Sequence, residues 1–216
     1  MSLLEIFSYS STVVLLLNAV LYSKFIISKD CAYRYLSIYL LLMAINQVIG
    51  TILFELEITN IFLANTYLVA QFLMLSLFYY AIFEGKKQRK LILIALAIIS
   101  TILGVQYAWT PQLFFEYNTI GIIVTSSVLI LYSIIYFFHY ISDSELKLYL
   151  VNSGILIYLL GTILLFSIAN IGLKLDSDIE IALWILNAFI YLVFQIIITT
   201  QWFHDLRKNN ISNKSM

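Results

Sequence analysis

Seven runs of about 20 mostly apolar residues, none with Asp, Glu, Lys or Arg at its middle, occupy most of this 216-residue chain. A helix rises about 1.5 Å per residue, so a run of that length crosses the ~30 Å hydrocarbon core of a bilayer. The runs cover 6–27, 35–54, 61–83, 91–109, 118–141, 148–169 and 181–203. A membrane β-strand needs only about 10 residues and alternates strictly in polarity, and these runs fit neither requirement. The expected fold is therefore all-α: a polytopic membrane protein, a seven-transmembrane helix bundle. The connections are too short for a second folded unit, and the tail after 203 has room for a turn or two, so 1–216 reads as one domain.

Composition agrees with this reading. Hydrophobic residues make up 62% and charged residues 11% of the chain, against roughly 45–50% and about 25% in a soluble domain. Twelve Lys and Arg balance twelve Asp and Glu, which excludes a basic nucleic-acid binder and an acidic disordered tail alike. The balance conceals a separation. Lys24, Lys29, Arg34, Lys86, Lys87, Arg89, Lys90, Lys147, Arg207, Lys208 and Lys214 fall on one side of the seven spans, and Lys174 alone on the other. Glu5, Glu55, Glu57, Glu116, Asp176, Asp178 and Glu180 join Lys174. The positive-inside rule then puts the N-terminus outside and the C-terminus in the cytoplasm of a cell membrane. Trp109, Trp184 and Trp202 fall toward span ends, where interfacial aromatics belong. Ser8, Ser10, Ser11 and Thr12 dilute the first run, yet Glu5 before its apolar core and Lys24 and Lys29 after that core reverse the order of a secretory signal. That order predicts an uncleaved helix.

Several chemistries lack their residues. The charge-free span centres disfavour a buried proton relay, and the last span has no Lys for a retinal Schiff base. Two His, His139 and His204, are too few for a seven-span zinc hydrolase. They share a depth at which a bis-His haem is conceivable, and interfacial His is the plainer reading. Ser153-Gly154 lacks both a preceding Gly and a mid-membrane His base for serine chemistry. Asp176, Asp178 and Glu180 lack the glycine turn of a Ca²⁺ loop and read as an acidic flank. Cys31 is a lone thiol, so no intrachain disulfide forms. No catalytic residue, metal or cofactor is expected.

The informative span residues are neutral and polar. Asn187, Tyr191, Gln195 and Thr199 recur every four residues, which draws a stripe down one helix face. Thr125, Tyr132, Tyr136 and His139 do the same in span five, Tyr67 and Gln71 in span three, and Gly154, Tyr158, Gly161 and Thr162 in span six. Such residues serve as interhelical glue, or they converge on a neutral, aromatic-lined pocket for a small uncharged or lipid-like ligand. The candidate ligand-binding set is Tyr67, Gln71, Thr125, Tyr132, Tyr158, Asn187, Tyr191 and Gln195.

Gly50-Thr51-Ile52-Leu53 recurs as Gly161-Thr162-Ile163-Leu164, and Tyr67-Leu68-Val69-x-Gln71 as Tyr191-Leu192-Val193-x-Gln195. These matches suggest that spans one to three and five to seven are parallel repeats about a linking fourth helix, although their offsets of 111 and 124 differ. This layout, with Pro111-Gln112, resembles the sugar-efflux and PQ-loop transporters, which place prolines inside helices; here no span contains Pro. Asn187-Ala188-Phe189-Ile190-Tyr191 resembles the last-helix N-P-x-x-Y of G-protein-coupled receptors, with Ala188 in place of the Pro. Asn65-Thr66-Tyr67, Gln71-Phe72 and Ser76 to Tyr80 are similar to the third helix of uncharacterised bacterial seven-span proteins, with Gln71 at an often acidic position. That resemblance implies a class and no activity.

Two functions follow as expectations. One is a receptor-like sensor or accessory subunit, signalling to a protein partner through the loops Lys86 to Lys90 and Ser142 to Lys147 or through the tail. The other is a facilitator of a small neutral solute. Both imply the lipid bilayer as a partner, and neither involves nucleic acid.

Overall fold

A computed structural model describes residues 2–140, 148–170 and 177–214. Its seven α-helices are α1 (Leu3–Tyr22), α2 (Cys31–Glu55), α3 (Ile61–Ile82), α4 (Lys86–Trp109), α5 (Thr119–Tyr140), α6 (Tyr149–Asn170) and α7 (Ser177–Lys214). Two 3₁₀ turns, Ser23–Phe25 and Pro111–Phe115, follow α1 and α4. All seven helices are long and apolar enough to cross a membrane, so by length and composition the chain is a multi-pass membrane protein.

Local chemistry sets the helix ends. Ser2 and Glu5 form a reciprocal capping box, Glu5 N donating to Ser2 Oγ at 3.2 Å and Ser2 N to Glu5 Oε2 at 2.8 Å. Asp30 caps α2 by accepting from Ala32 N at 3.0 Å. At the far end of α2, Glu57 N donates to Phe54 O and Ile58 N to Leu53 O, at 3.0 and 2.9 Å. This is a Schellman closure, and it puts Glu57 at a φ of 57°.

The helices close into a ring in the order α1, α2, α3, α5, α6, α7 and back to α1. α4 stands outside, packed on α3 and on the Pro111–Phe115 turn. Its described side chains are buried only at Ile92 and Leu103, and Leu91, Ile98, Ile102 and Val105 point outward. A helix apolar on all sides suits a lipid-facing position. Ring helices also turn apolar residues outward, among them Val13, Val20, Ile120, Phe138 and Leu164.

The two ends of the bundle differ. Lys24, Lys29, Arg34, Lys86, Lys87, Arg89, Lys90 and Arg207 share the end where α1 and α3 finish and α2 and α4 begin. The core fills the half of the ring nearer that basic end, around Leu15, Leu36, Leu40, Phe72, Leu75, Phe78, Tyr79, Val151, Ile155, Phe194 and Ile198. Buried amides fasten it. Tyr79 donates to Asn152 Oδ1 at 2.8 Å, and Asn152 Nδ2 donates to Ser133 O at 3.3 Å, joining α3, α6 and α5. Gln201 accepts from Leu150 N at 3.2 Å and donates to Asp205 at 2.7 Å, while Tyr33 donates to the other Asp205 oxygen at 2.8 Å.

The helix ends do not all coincide with the ends of the expected spans. α7 continues through the segment expected to leave the membrane as a short tail, because no Gly or Pro interrupts 181–214. α4 begins at Lys86, ahead of the apolar run from 91; charges end an apolar run without ending a helix. α1 stops at Tyr22, earlier than expected, where the chain tightens into the 3₁₀ turn. Asp178 and Glu180 lie in the first turn of α7, where carboxylates favour the helix dipole. Asp176, Lys174 and 142–147 lie outside the described residues.

Candidate functional site

In the half of the ring nearer the N-terminus, small side chains are interspersed among the large apolar ones. Ser8, Ser11 and Thr12 of α1, Gly50 of α2, Ala64 of α3, Ser126 of α5 and Ala188 of α7 face inward there and surround a cavity of about 490 Å³. The cavity lies within the usual range of small-molecule sites, roughly 300–1,000 Å³. All six ring helices line it, and α4 contributes nothing. Its rim includes the exposed Glu5, Tyr9 and Phe54. Its floor, near mid-bundle, is Tyr67, Gln71, Tyr158 and Tyr191, with the packed core beneath.

The floor is aromatic and hydroxylic. The Tyr67 and Tyr158 hydroxyls lie 3.0 Å apart in a hydrogen bond that either can donate. The Tyr191 ring sits 6.5 Å from that of Tyr67 and 5.4 Å from that of Tyr158, and Tyr158 stacks on Phe194 at 5.2 Å. These separations match favourable edge and stacked geometries. The Gln71 carbonyl and the Tyr191 hydroxyl are buried without a hydrogen-bond partner.

One shoulder of the cavity is held by Asn65. Its amide donates to the carbonyls of Phe114 and Glu116 at 2.8 Å and of Leu113 at 3.4 Å. Its Oδ1 accepts from Tyr107 OH at 3.0 Å, which accepts in turn from Asn118 Nδ2 at 3.0 Å. Asn118 Oδ1 then caps α5 by accepting from Gly121 N at 2.9 Å. This chain fixes Tyr117, a rim residue. Burial, and then the Glu180 carboxylate, hold the Tyr117 phenol above its ordinary pKa, so it stays neutral in physiological conditions.

Six of the eight expected residues line the cavity: Tyr67, Gln71, Thr125, Tyr158, Asn187 and Tyr191. Thr125 already donates its hydroxyl to Gly121 O at 2.7 Å, which leaves it only as an acceptor. Tyr132 and Gln195 do not line it. Tyr132 lies two turns past Thr125, below the floor, against the Tyr79 ring at 5.7 Å. Gln195 is one turn past Tyr191 and faces α1, where its carbonyl oxygens accept from Asn18. These two pack between helices instead of lining the cavity.

The expected set omitted the contributions of α1 and α2. Ser11, Thr12, Asn46 and Gln47 line the cavity. Asn46 with Gly50, and Gln47 with Thr51, follow the same four-residue rule that marked the other helices, so the signal was present. His139 and His204 are exposed, and His204 lies 3.7 Å from Asp205. No group of three His, Cys, Asp or Glu that could hold a metal occurs among the described residues.

The repeated motifs occupy matching places. A Cβ on Gly50 would lie 3.4 Å from Leu63 in α3, and one on Gly161 would lie 2.7 Å from Ile190 in α7. Gly161 thus lets α6 approach α7, whereas a Cβ on Gly50 would make only an ordinary contact, and Tyr67 and Tyr191 meet across the floor. The packing order α1, α2, α3 is repeated by α5, α6, α7.

No protein-family model, curated protein or solved structure matches this chain.

Proposed function

We propose that this protein is a receptor-like or accessory subunit of a cell membrane. It takes a small uncharged molecule into the cavity from the outer side and acts through a protein partner at its cytoplasmic, basic end. The observation that carries this reading is the confinement of the cavity to one half of the ring, with a packed core filling the other. Such a space suits binding from one side better than passage. The lining favours an uncharged ligand, because among the described residues its one carboxylate, Glu5, lies at the rim within its capping box. The segregated Lys and Arg orient the N-terminus outward. At 38 residues, α7 is roughly 57 Å long, so its last turns extend beyond a ~30 Å core. With Lys86 to Lys90, they offer the surface that a partner would meet.

Two measurements test the proposal. Cross-linking in the native membrane should capture a partner through Lys86–Lys90 or through 204–214, and removing those segments should abolish any cellular response. Capture of nothing, with responses intact after both deletions, defeats the reading.

A facilitator of a neutral solute is the second reading, favoured by the repeated packing order of the two helix triplets. Proteoliposome flux that falls when Gln71 or Asn187 is replaced would support it. Flux indifferent to both counts against it.

A further inference from the structure

Two buried groups at the cavity floor lack the bonds their chemistry demands. Gln71 is 6% exposed with an unpartnered carboxamide oxygen, and Tyr191 is 9% exposed with its hydroxyl facing the Tyr67 and Gln195 side chains but making no hydrogen bond of good geometry. Buried polar groups are nearly always satisfied, so two orphans lining one cavity point to a bond made by an occupant. Beside them, the Tyr67 and Tyr158 hydroxyls share a single hydrogen bond at 3.0 Å. Two phenols carry two hydrogens, and the second remains available to a neighbour. The floor therefore offers a carbonyl that needs a donor and phenols that can donate.

We infer that the cavity takes a neutral alcohol with an apolar tail, its hydroxyl seated on Gln71 and Tyr191 at the floor and its tail directed toward the rim. A hydroxyl both donates and accepts through one oxygen. An ether has no hydrogen for Gln71. A carboxylate has none either and would be buried without a cation, while an ammonium would find no counter-charge at the floor. Above the floor, Leu63, Leu68, Ile122, Phe166, Trp184 and Ala188 supply an apolar wall that suits a hydrocarbon chain. This inference rests on the cavity being the ligand site, as in the proposed function, and it adds the head group and its orientation.

The test is equilibrium dialysis of the full chain in lipid nanodiscs, against empty nanodiscs, with four probes of equal chain length. These are 1-decanol, decyl methyl ether, decanoate and decylammonium. Saturable binding of 1-decanol at least about fivefold tighter than the ether is expected, the ratio that one neutral hydrogen bond provides. Gln71→Met should reduce that ratio to within about twofold, and Tyr191→Phe should lower it. Ligand-free Gln71→Met should melt no lower than the parent, because it removes an unsatisfied carbonyl; a purely structural Gln71 would give a lower melting temperature. Equal binding of alcohol and ether, or tighter binding of either ion, overturns the head-group assignment while leaving the cavity as a site. Absence of saturable binding by every probe overturns the site and the inference together.

Discussion

The Asn18 amide of α1 donates at 2.9 Å to both the main-chain and the side-chain carbonyl of Gln195 in α7, and both residues are fully buried. Thr199 closes the set by donating to Asn18 Oδ1 at 2.8 Å. This joint seals the ring between the first and last helices. Asn18→Leu should destabilise the protein by about 1–2 kcal/mol, since it leaves the Gln195 side-chain oxygen buried without a donor. The double variant Asn18→Leu/Gln195→Leu should cost less than the sum of the single ones. Thermal unfolding in detergent measures both, and additive losses would deny the coupling.

Asn65 binds the carbonyls of Leu113, Phe114 and Glu116 at once. Asn65→Leu should release that connection while leaving the helices formed. Hydrogen exchange of the 110–118 amides should then rise by an order of magnitude or more, with little change in the core of α3. Unchanged exchange in 110–118 would show that the 3₁₀ turn holds itself.

Glu57 has a left-handed backbone at φ 57°, a conformation that costs an L-residue roughly 1–2 kcal/mol and glycine almost nothing. Its side chain is exposed, so little packing is lost on replacement. Glu57→Gly should stabilise the protein by about 1 kcal/mol, read as a raised melting temperature, whereas Glu57→Val should lower it.

The one cysteine, Cys31, is exposed at the start of α2, beside Lys29 and Arg34 at the basic end. The proposed orientation places it in the cytoplasm. A membrane-impermeant maleimide should leave it unlabelled in intact cells and label it in inside-out vesicles. The opposite pattern would invert the assignment of the cavity to the outer side.

The helices and their number were legible because a bilayer makes length and apolarity nearly sufficient evidence. The ends of α4 and α7 were less so, since the charges of Lys86 to Lys90 and His204 to Lys208 interrupt an apolar run while the helix continues. Cavity-lining residues were legible as stripes, and Tyr67, Gln71, Thr125, Tyr158, Asn187 and Tyr191 lie around the same space. The stripes could not say where along its length each helix opens onto free space. Tyr132 and Gln195 obey the periodicity of Thr125 and Tyr191 but lie deeper, against Tyr79 and Asn18. Depth depends on the sizes of side chains on neighbouring helices, and no single helix carries that information.

The exclusion of α4 from the ring has a geometric consequence. Three antiparallel helices leave the chain at the end opposite to where it entered, so a second triplet running the same way as the first requires one extra crossing. α4 supplies that crossing outside the ring, returning the chain to the N-terminal end without occupying a place in the wall. It sets the direction of α5 to α7 while leaving the cavity to the others. Over most of its surface, its apolar sequence meets no partner helix among the described residues.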